Sequence, residues 1–557
     1  MDGRRLRIRR PTLDRPLRVL LVGPYDPHCG EYTFLAPPLG VWRLAGYLRS
    51  LGHTAEVFDP NCVDGQPEAA LEGVLTRGAW DIVGISTTGM TLRFDLALAH
   101  ISRRCAPDTL LIAGGMEATF GPDLLFRLAP IDLVILGEGE APLQEVARRI
   151  AAGEPLEGIA GTAVPLAAGG VQRFDGRALS YAELRRTIAL TPYADMPYEA
   201  YWQRLEHAYR IERLPQKAER EARLAEIRSV RLITLNYCPM ACSFCSSTNF
   251  LHSAQGSVAS IARLTVDDCL DMIKKIVAAQ PDVRTVIFQD DIFAFTSDKR
   301  VLPLCAAIQD AKRSGAIPPS LQFIATNRID AMTPERLAAM RRAGFRVLGF
   351  GVESFSRAML EEFNKGQIFR HIEPVLTAAL AEGFTPFLDL ILCSPRARLQ
   401  DVAETIREAY RWLLLGCEIG MYPYVVPFTG SKMSTDPELA PFVTTKVQTI
   451  QGTGLSWPQP DHILPIDLDT RQSLEKIVVA YERSLAALTE SSVHLPSRAR
   501  SLLWIANAIP VLRAAGVEVP DAAPVLRKLQ EFLGQAKRPK AKSIRREAVE
   551  RVARAAS

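Results

Sequence analysis

At 557 residues, and about 150 residues per domain, the chain is long enough for three or four domains, and its 48% hydrophobic content can fill several cores. A formal net charge of +4 gives no nucleic-acid footprint, and no apolar run reaches the roughly 18 residues a membrane span needs. Ten cysteines without a regular framework, and no export signal in the basic stretch 1–16, point to a reducing, cytoplasmic setting rather than a disulfide scaffold.

In chain order, residues 17–155 read as an α/β domain. Apolar strands start at Leu17, Ala55, Asp81, Leu110 and Ile131, and they alternate with helices over 39–50, 68–76, 92–104 and 122–128. Continuous apolar strands between helices imply a doubly wound parallel sheet of Rossmann-like type. In such sheets ligands bind beyond the C-terminal strand ends, where this chain places Gly23, Ser86, Thr87, Gly114, Gly115, Gly137 and Glu138. Residues 156–228 read as a connector, irregular at first and then a charged helix over 206–228.

A second pattern of six βα units occupies 229–435 and predicts a partial, open (β/α)6 TIM-type barrel with its chemistry at the C-terminal strand ends. Its first strand runs into Cys238, Cys242 and Cys245, a C-x3-C-x2-C spacing. Three thiolates so close can hold three irons of a [4Fe–4S] cluster and leave the fourth open, whereas electron carriers usually use four cysteines. Zinc is the alternative, but it prefers four ligands in paired blocks, and His207 and His252 offer no such pairing. The other seven cysteines lie mostly in apolar runs and read as core residues. Residues 436–557 read as a mostly helical extension, with helices near 471–489, 502–509 and 523–533 and a basic tail from Lys537 that allows weak contact with anionic lipid.

The cysteine spacing resembles the signature of the radical S-adenosylmethionine (SAM) enzymes. Pro37-Pro-Leu-Gly, Gly52-His, Gly114-Gly and Gly137-Glu-Gly-Glu resemble the cobalamin-binding domain that precedes a radical SAM domain. The resemblance implies three cofactors: a [4Fe–4S] cluster on the three cysteines, SAM chelated to the open iron, and cobalamin. It also implies SAM contacts from Phe244, Asp290, Asp291, Asn327, Arg328, Gly349, Gly351 and Glu353, with the strand-end residues of the first domain from Gly23 to Glu138 meeting cobalamin. Bland readings stand beside these: a helix N-cap for the Asp pair, a salt bridge for Glu353, and a pair with Asp330 or Glu353 for Arg328. Asp26-Pro-His-Cys-Gly30 falls one residue short of the D-x-H-x-x-G motif whose histidine ligates cobalt, so His28 also reads as an ordinary loop histidine. Pro427–Ser431 resembles the loop that closes the family's barrel, and Cys393-Ser-Pro395 stands where relatives often carry Gly-x-Pro.

The expected activity is cobalamin-dependent methyl transfer to an unactivated carbon of a small molecule or natural-product precursor. An external flavodoxin- or ferredoxin-type donor would supply electrons. Radical ring formation, oxidation or another group transfer, with or without cobalamin, is the alternative. A non-catalytic cobalamin or iron–sulfur sensor is the remote one.

Overall fold

A computed structural model describes residues 15–27, 36–214, 216–367, 369–489 and 497–535. His28 and the basic tails lie outside the described residues.

The first sheet has seven strands in the order β2-β1-β3-β4-β5-β6-β7: β1 Arg18–Val22, β2 Thr54–Phe58, β3 Ile82–Thr87, β4 Leu110–Gly115, β5 Leu133–Ile135, β6 Thr162–Pro165 and β7 Val171–Phe174. The first five pair in parallel, as their apolar runs require, and β1 is buried almost throughout. β6 and β7 add an antiparallel edge, so the sheet runs past residue 155 into the stretch expected to be irregular. The helix Leu39–Ser50 covers one face, with Val41, Trp42, Ala45 and Leu48 turned to the sheet at helical spacing. Its Gly46 has a packing reason: a Cβ there would come within 2.1 Å of the Leu190 carbonyl oxygen in the segment leading to the barrel. Gly46→Ala should therefore destabilise the protein by about 1–3 kcal/mol, seen as a lower urea midpoint.

The connector contains three α-helices, Tyr181–Ala189, Tyr198–Ala208 and Lys217–Ile227, where the sequence suggested one. Tyr193, Tyr198 and Tyr201 are fully buried there. Tyr193 donates to the Arg231 carbonyl at 2.9 Å, and Tyr201 donates to Asp59 at 2.9 Å, so this segment ties the two sheets together.

The second sheet is six-stranded, all parallel, in the sequential order β13-β12-β11-β10-β9-β8: β8 Ser229–Leu232, β9 Thr285–Phe288, β10 Gln322–Asn327, β11 Phe345–Glu353, β12 Thr385–Ile391 and β13 Glu418–Tyr422. β8 and β13 do not pair, so the barrel is open. Phe288, Phe293, Phe323 and Phe345 pack ring to ring in its core.

The C-terminal region differs from expectation in one respect. Before its helices Leu468–Thr489, Ser497–Ala514 and Ala523–Gln535 stands an antiparallel hairpin, β14 Val443–Thr449 with β15 Ser456–Ile463. Its base bonds to the segment after β13, through Ile463 N–H to the Val425 carbonyl at 2.9 Å. Toward its tip, Ile450 and Trp457 are buried in the core of the first domain. The hairpin thus bridges the two domains.

Candidate functional site

The three cysteines lie on the loop between β8 and the helix Ser247–Gln255, and this loop is held at several points. The Asp290 carboxylate accepts from the Thr234 and Leu235 N–H groups at 2.6 and 2.9 Å. Ser243 N–H donates to the Phe363 carbonyl at 2.9 Å and its hydroxyl to the Glu362 carbonyl at 2.8 Å. Asn364, in the left-handed region at φ 47°, donates to the Ala241 carbonyl at 2.8 Å. Asn249 donates to the Gly430 carbonyl at 2.6 Å, which ties in the barrel-closing loop.

All three thiols are free; Cys242 is buried, and Cys238 and Cys245 are half-buried. Burial pushes Cys238 up to about 12, and each of Cys238 and Cys242 is raised further by neighbouring thiols of the motif, so the three share one environment. Among the described residues no three His, Cys, Asp or Glu side chains converge as ligands of a single ion. A mononuclear zinc site needs such convergence. A cubane instead asks each thiolate to reach a different iron, and three thiols with no fourth is a donor set that fits a cluster with one open position.

Glu353 ends β11 at φ 64°, a left-handed conformation uncommon for a residue with a side chain, beside a register shift against β12. Its carboxylate meets Lys365 Nζ at 2.7 Å. Gly351 makes room for the pair: a Cβ there would lie 2.5 Å from Glu353 Oε1 and 2.9 Å from Lys365 Nζ. Gly349 stands against Thr326. Asn327 donates from Nδ2 to the Ala325 carbonyl at 3.2 Å, and its buried Oδ1 finds no partner among the described residues.

Other predicted SAM residues are committed elsewhere. Arg328 forms a two-pronged pair with Asp330 at 3.0 and 2.8 Å and donates to the Lys365 carbonyl at 2.7 Å. Asp290 holds the cysteine loop, with burial pushing it up to about 6. Asp291 faces a cleft toward the first domain. Phe244 packs edge-on against Phe363 at 5.1 Å and lines the main cavity.

Two site residues escaped sequence reasoning. Lys365 carries no local motif. Asp389 interrupts the apolar strand β12, and that was the available signal. It lies level with Gly351 and Gly420 in register, and burial pushes it up to about 7, with nearby Glu353 adding to the shift. Cys393 is buried, donates to the Ser394 carbonyl at 3.3 Å and is raised by burial, so it is an inert thiol.

On the first domain, Ser86, Gly114 and Glu138 open onto a cleft of about 350 Å³ that reaches the barrel's Asn236 and Asp291. Gly40 and Gly84 form part of its wall; a Cβ on Gly40 would meet nothing within 4 Å, and one on Gly84 would press on Leu21. Gly115 and Gly137 also border it, at φ 100° and 71°, and each is pressed close: a Cβ would meet the Thr87 carbonyl oxygen at 2.5 Å or Ala254 at 2.6 Å. Glu138 accepts from Leu179 N–H at 2.7 Å, and burial pushes it up to about 7 against the pull of Arg43. Gly23 packs against Pro38, and Thr87 donates to the Gly114 carbonyl at 3.0 Å; both shape the strand ends from within.

Asp95 ties the loops after β1 and β3 together, accepting from Tyr25 and Thr88 N–H and the Thr91 hydroxyl at 2.9, 3.2 and 2.7 Å. Burial pushes it up to about 8. A carboxyl raised on folding contributes stability that is full below its unfolded value, about 3.9, and lost as pH rises through the folded value. The parent should therefore lose stability relative to Asp95→Asn as pH rises from 5 to 8, read from melting temperatures of the two proteins.

A cavity of about 1200 Å³ joins both domains. Thr88, Met90 and Met116 line it from the first sheet, Phe244 and Cys245 from the cysteine loop, and Phe428 from the closing loop. The closing loop reaches the first domain directly. A Cβ on Gly430 would strike the Phe120 ring, and Thr429 donates to Glu117 at 3.3 Å.

Residues 27–147 match the B12 binding domain family, and residues 232–409 match the radical SAM superfamily. The chain carries a B12-binding domain followed by a radical SAM domain. An uncharacterised methyltransferase of Pyrococcus horikoshii is 24% identical over 409 residues, covering 71% of this chain and 77% of that protein. The anaerobic magnesium-protoporphyrin IX monomethyl ester cyclase of Rubrivivax gelatinosus is 24% identical over 401 residues, 71% of this chain and 65% of that one. Among solved structures, the radical SAM methyltransferase TsrM of Kitasatospora setae, with cobalamin and a [4Fe–4S] cluster bound, aligns at TM-score 0.60 and 15% identity over 90% of this chain and 99% of its own. The cobalamin-dependent radical SAM enzyme OxsB, with aqua-cobalamin, aligns at 0.66 and 15% identity over 98% and 79%. The radical SAM domain and the B12-binding domain set the cofactor complement: SAM with a [4Fe–4S] cluster for the former, cobalamin for the latter. No helix among the described residues is long and apolar enough to cross a membrane.

Proposed function

We propose that the protein transfers a methyl group from SAM, by way of cobalamin, to an unactivated carbon of a small molecule. The observation that carries this reading is the cavity of about 1200 Å³ onto which both the cysteine loop and the strand ends of the B12-binding sheet open. A hydrogen-abstracting radical formed from SAM beside the cluster and a methyl carrier held by the first domain would both have to reach one substrate carbon, and one shared, walled space would permit that. The name of the Pyrococcus horikoshii relative points the same way.

In this reading Cys238, Cys242 and Cys245 hold the cluster, and the [4Fe–4S]–SAM pair with cobalamin supplies the radical and methyl-carrier chemistry. Glu353 accepts from the ammonium or a ribose hydroxyl of SAM, held in place by Lys365. Asn327 offers its unpaired Oδ1 to the same ligand. Phe244 gives an apolar face, and Gly349 and Gly351 admit the ligand against the strand end. Asp389, held near its midpoint at neutral pH, can donate or accept. Asp290 and Arg328 act through positioning, the first on the cysteine loop and the second on the segment bearing Lys365. Asp291, Ser86, Gly114 and Glu138 line the cleft that would receive part of the corrin, and Met90, Met116 and Phe428 would keep water from the reacting centre. Electrons come from an external donor of flavodoxin or ferredoxin type, and the protein works in the cytoplasm.

Similarity to the Rubrivivax gelatinosus cyclase favours a second reading, oxidative ring formation. Anaerobic turnover with methyl-labelled SAM separates the two. Label in the product supports methyl transfer; product formed without label supports ring formation.

A further inference from the structure

The hairpin β14–β15 lies outside both matched domains, yet it borders the cavity they share. Strand alternation puts Lys446 and Gln448 on one face of β14, and Trp457, Gln459 and Asp461 on the same face of β15; Lys446 pairs with Gln459 in register and Gln448 with Trp457. All five line the cavity. Four have partners. Lys446 meets Asp461 at 2.9 Å, Gln459 Nε2 donates to the Gly89 carbonyl at 2.7 Å, and Trp457 is packed into the first domain's core. Gln448 is the exception: its Oε1 is buried and finds no hydrogen-bond partner among the described residues.

A buried acceptor left unpaired weakens the folded state, and a donor from outside the chain, a ligand or an ordered water, accounts for such atoms; facing a cavity of this size, Gln448 is placed for a ligand. Gly89 follows β3, so the hairpin faces the strand ends where a doubly wound sheet holds its ligand. The hairpin is docked at both base and tip by the protein's own contacts, so this wall is preformed. A corrin carries primary carboxamides around its rim, and each offers N–H donors.

We propose that the hairpin is a third wall of the corrin site, and that Gln448 Oε1 accepts a hydrogen bond from a rim carboxamide of cobalamin. This rests on the cobalamin reading made above, with the corrin extending from the cleft at Ser86, Gly114 and Glu138 into the shared cavity. Cobalamin binding would then depend on residues some 300 positions beyond the B12-binding domain, since that match ends at 147 and the hairpin begins at Val443.

The test titrates the full-length protein, purified anaerobically, with hydroxocobalamin and with cobinamide, which keeps the rim amides and lacks the nucleotide tail. Binding is followed by the corrin absorbance. Gln448→Leu should weaken both corrins by about tenfold. The ligand-free variant should melt at the parent temperature or higher, because an orphaned acceptor has gone; a merely structural glutamine would lower it. Equal affinity of parent and variant for both corrins would overturn the proposal and leave Gln448 to the substrate. An effect on hydroxocobalamin alone would move the contact to the nucleotide tail and overturn the rim assignment. A lower melting temperature with weakened binding would reduce Gln448 to a packing residue. If the parent bound neither corrin, the cobalamin reading itself would fall, an outcome distinct from the failure of Gln448 alone.

Discussion

Cys242→Ala should lose the [4Fe–4S] cluster and reduce SAM cleavage to background while cobalamin binding persists. Changes in outer-shell partners alone lower metal affinity by about 10–100-fold, so removing a thiolate from a three-cysteine set should exceed about 100-fold. Cys242 is the most buried of the three, on a loop tied down by Asp290, Ser243, Asn364 and Asn249. The loop should therefore keep its path without the thiol. Iron and sulfide content of the reconstituted variant, together with 5′-deoxyadenosine formed under reduction, provide the check. A variant that kept both would remove Cys242 from the cluster.

The second large effect falls on Lys365 and Glu353. Their side chains are 10% and 11% exposed, 2.7 Å apart, with Glu353 already in an unfavourable backbone conformation. Removing one member of a buried ion pair leaves an uncompensated charge, which costs about 3–5 kcal/mol. Lys365→Met should show a loss of that size in denaturant unfolding. The double variant Lys365→Met, Glu353→Gln should recover most of it, because no charge is then left unpaired. SAM binding should stay lost in both, since the carboxylate proposed to meet SAM is misdirected in one and absent in the other. Equal stability of single and double variants would show that the pair is not coupled as the geometry indicates.

The readability of this chain followed from where its signals are local. Apart from the partly exposed β2, the strands of the first sheet up to Ile135 are short runs rich in apolar residues, and the helix Leu39–Ser50 has the expected bounds. β6 and β7 went unseen because an antiparallel edge strand such as Val171–Phe174 is half exposed and lacks an apolar run. The hairpin hid for a related reason. Val443–Thr449 is mostly polar, and β15 carries Pro458 and Pro460, which argue against a strand unless it lies at an edge, as this one does.

At the site, three cysteines within eight residues announce themselves by spacing. The residues that hold them do not, because Asn364 reaches Ala241 across more than a hundred positions, and Lys365 finds Glu353 only through the fold. Arg328 and Asp290 show the converse. The sequence places a charge at a strand end, but only the structure shows that Asp330, Thr234 and Leu235 have already taken it up. The same limit applies to Gln448, an ordinary residue in sequence whose buried Oε1 finds no partner among the described residues.

One measurement bears on the central claim most directly. The reconstituted, reduced protein is incubated anaerobically with SAM, with and without added cobalamin, and two products are quantified. Radical chemistry coupled to methyl transfer predicts 5′-deoxyadenosine together with S-adenosylhomocysteine, the latter only when cobalamin is supplied. Formation of 5′-deoxyadenosine with no S-adenosylhomocysteine under either condition would contradict methyl transfer and leave a radical SAM enzyme of another kind.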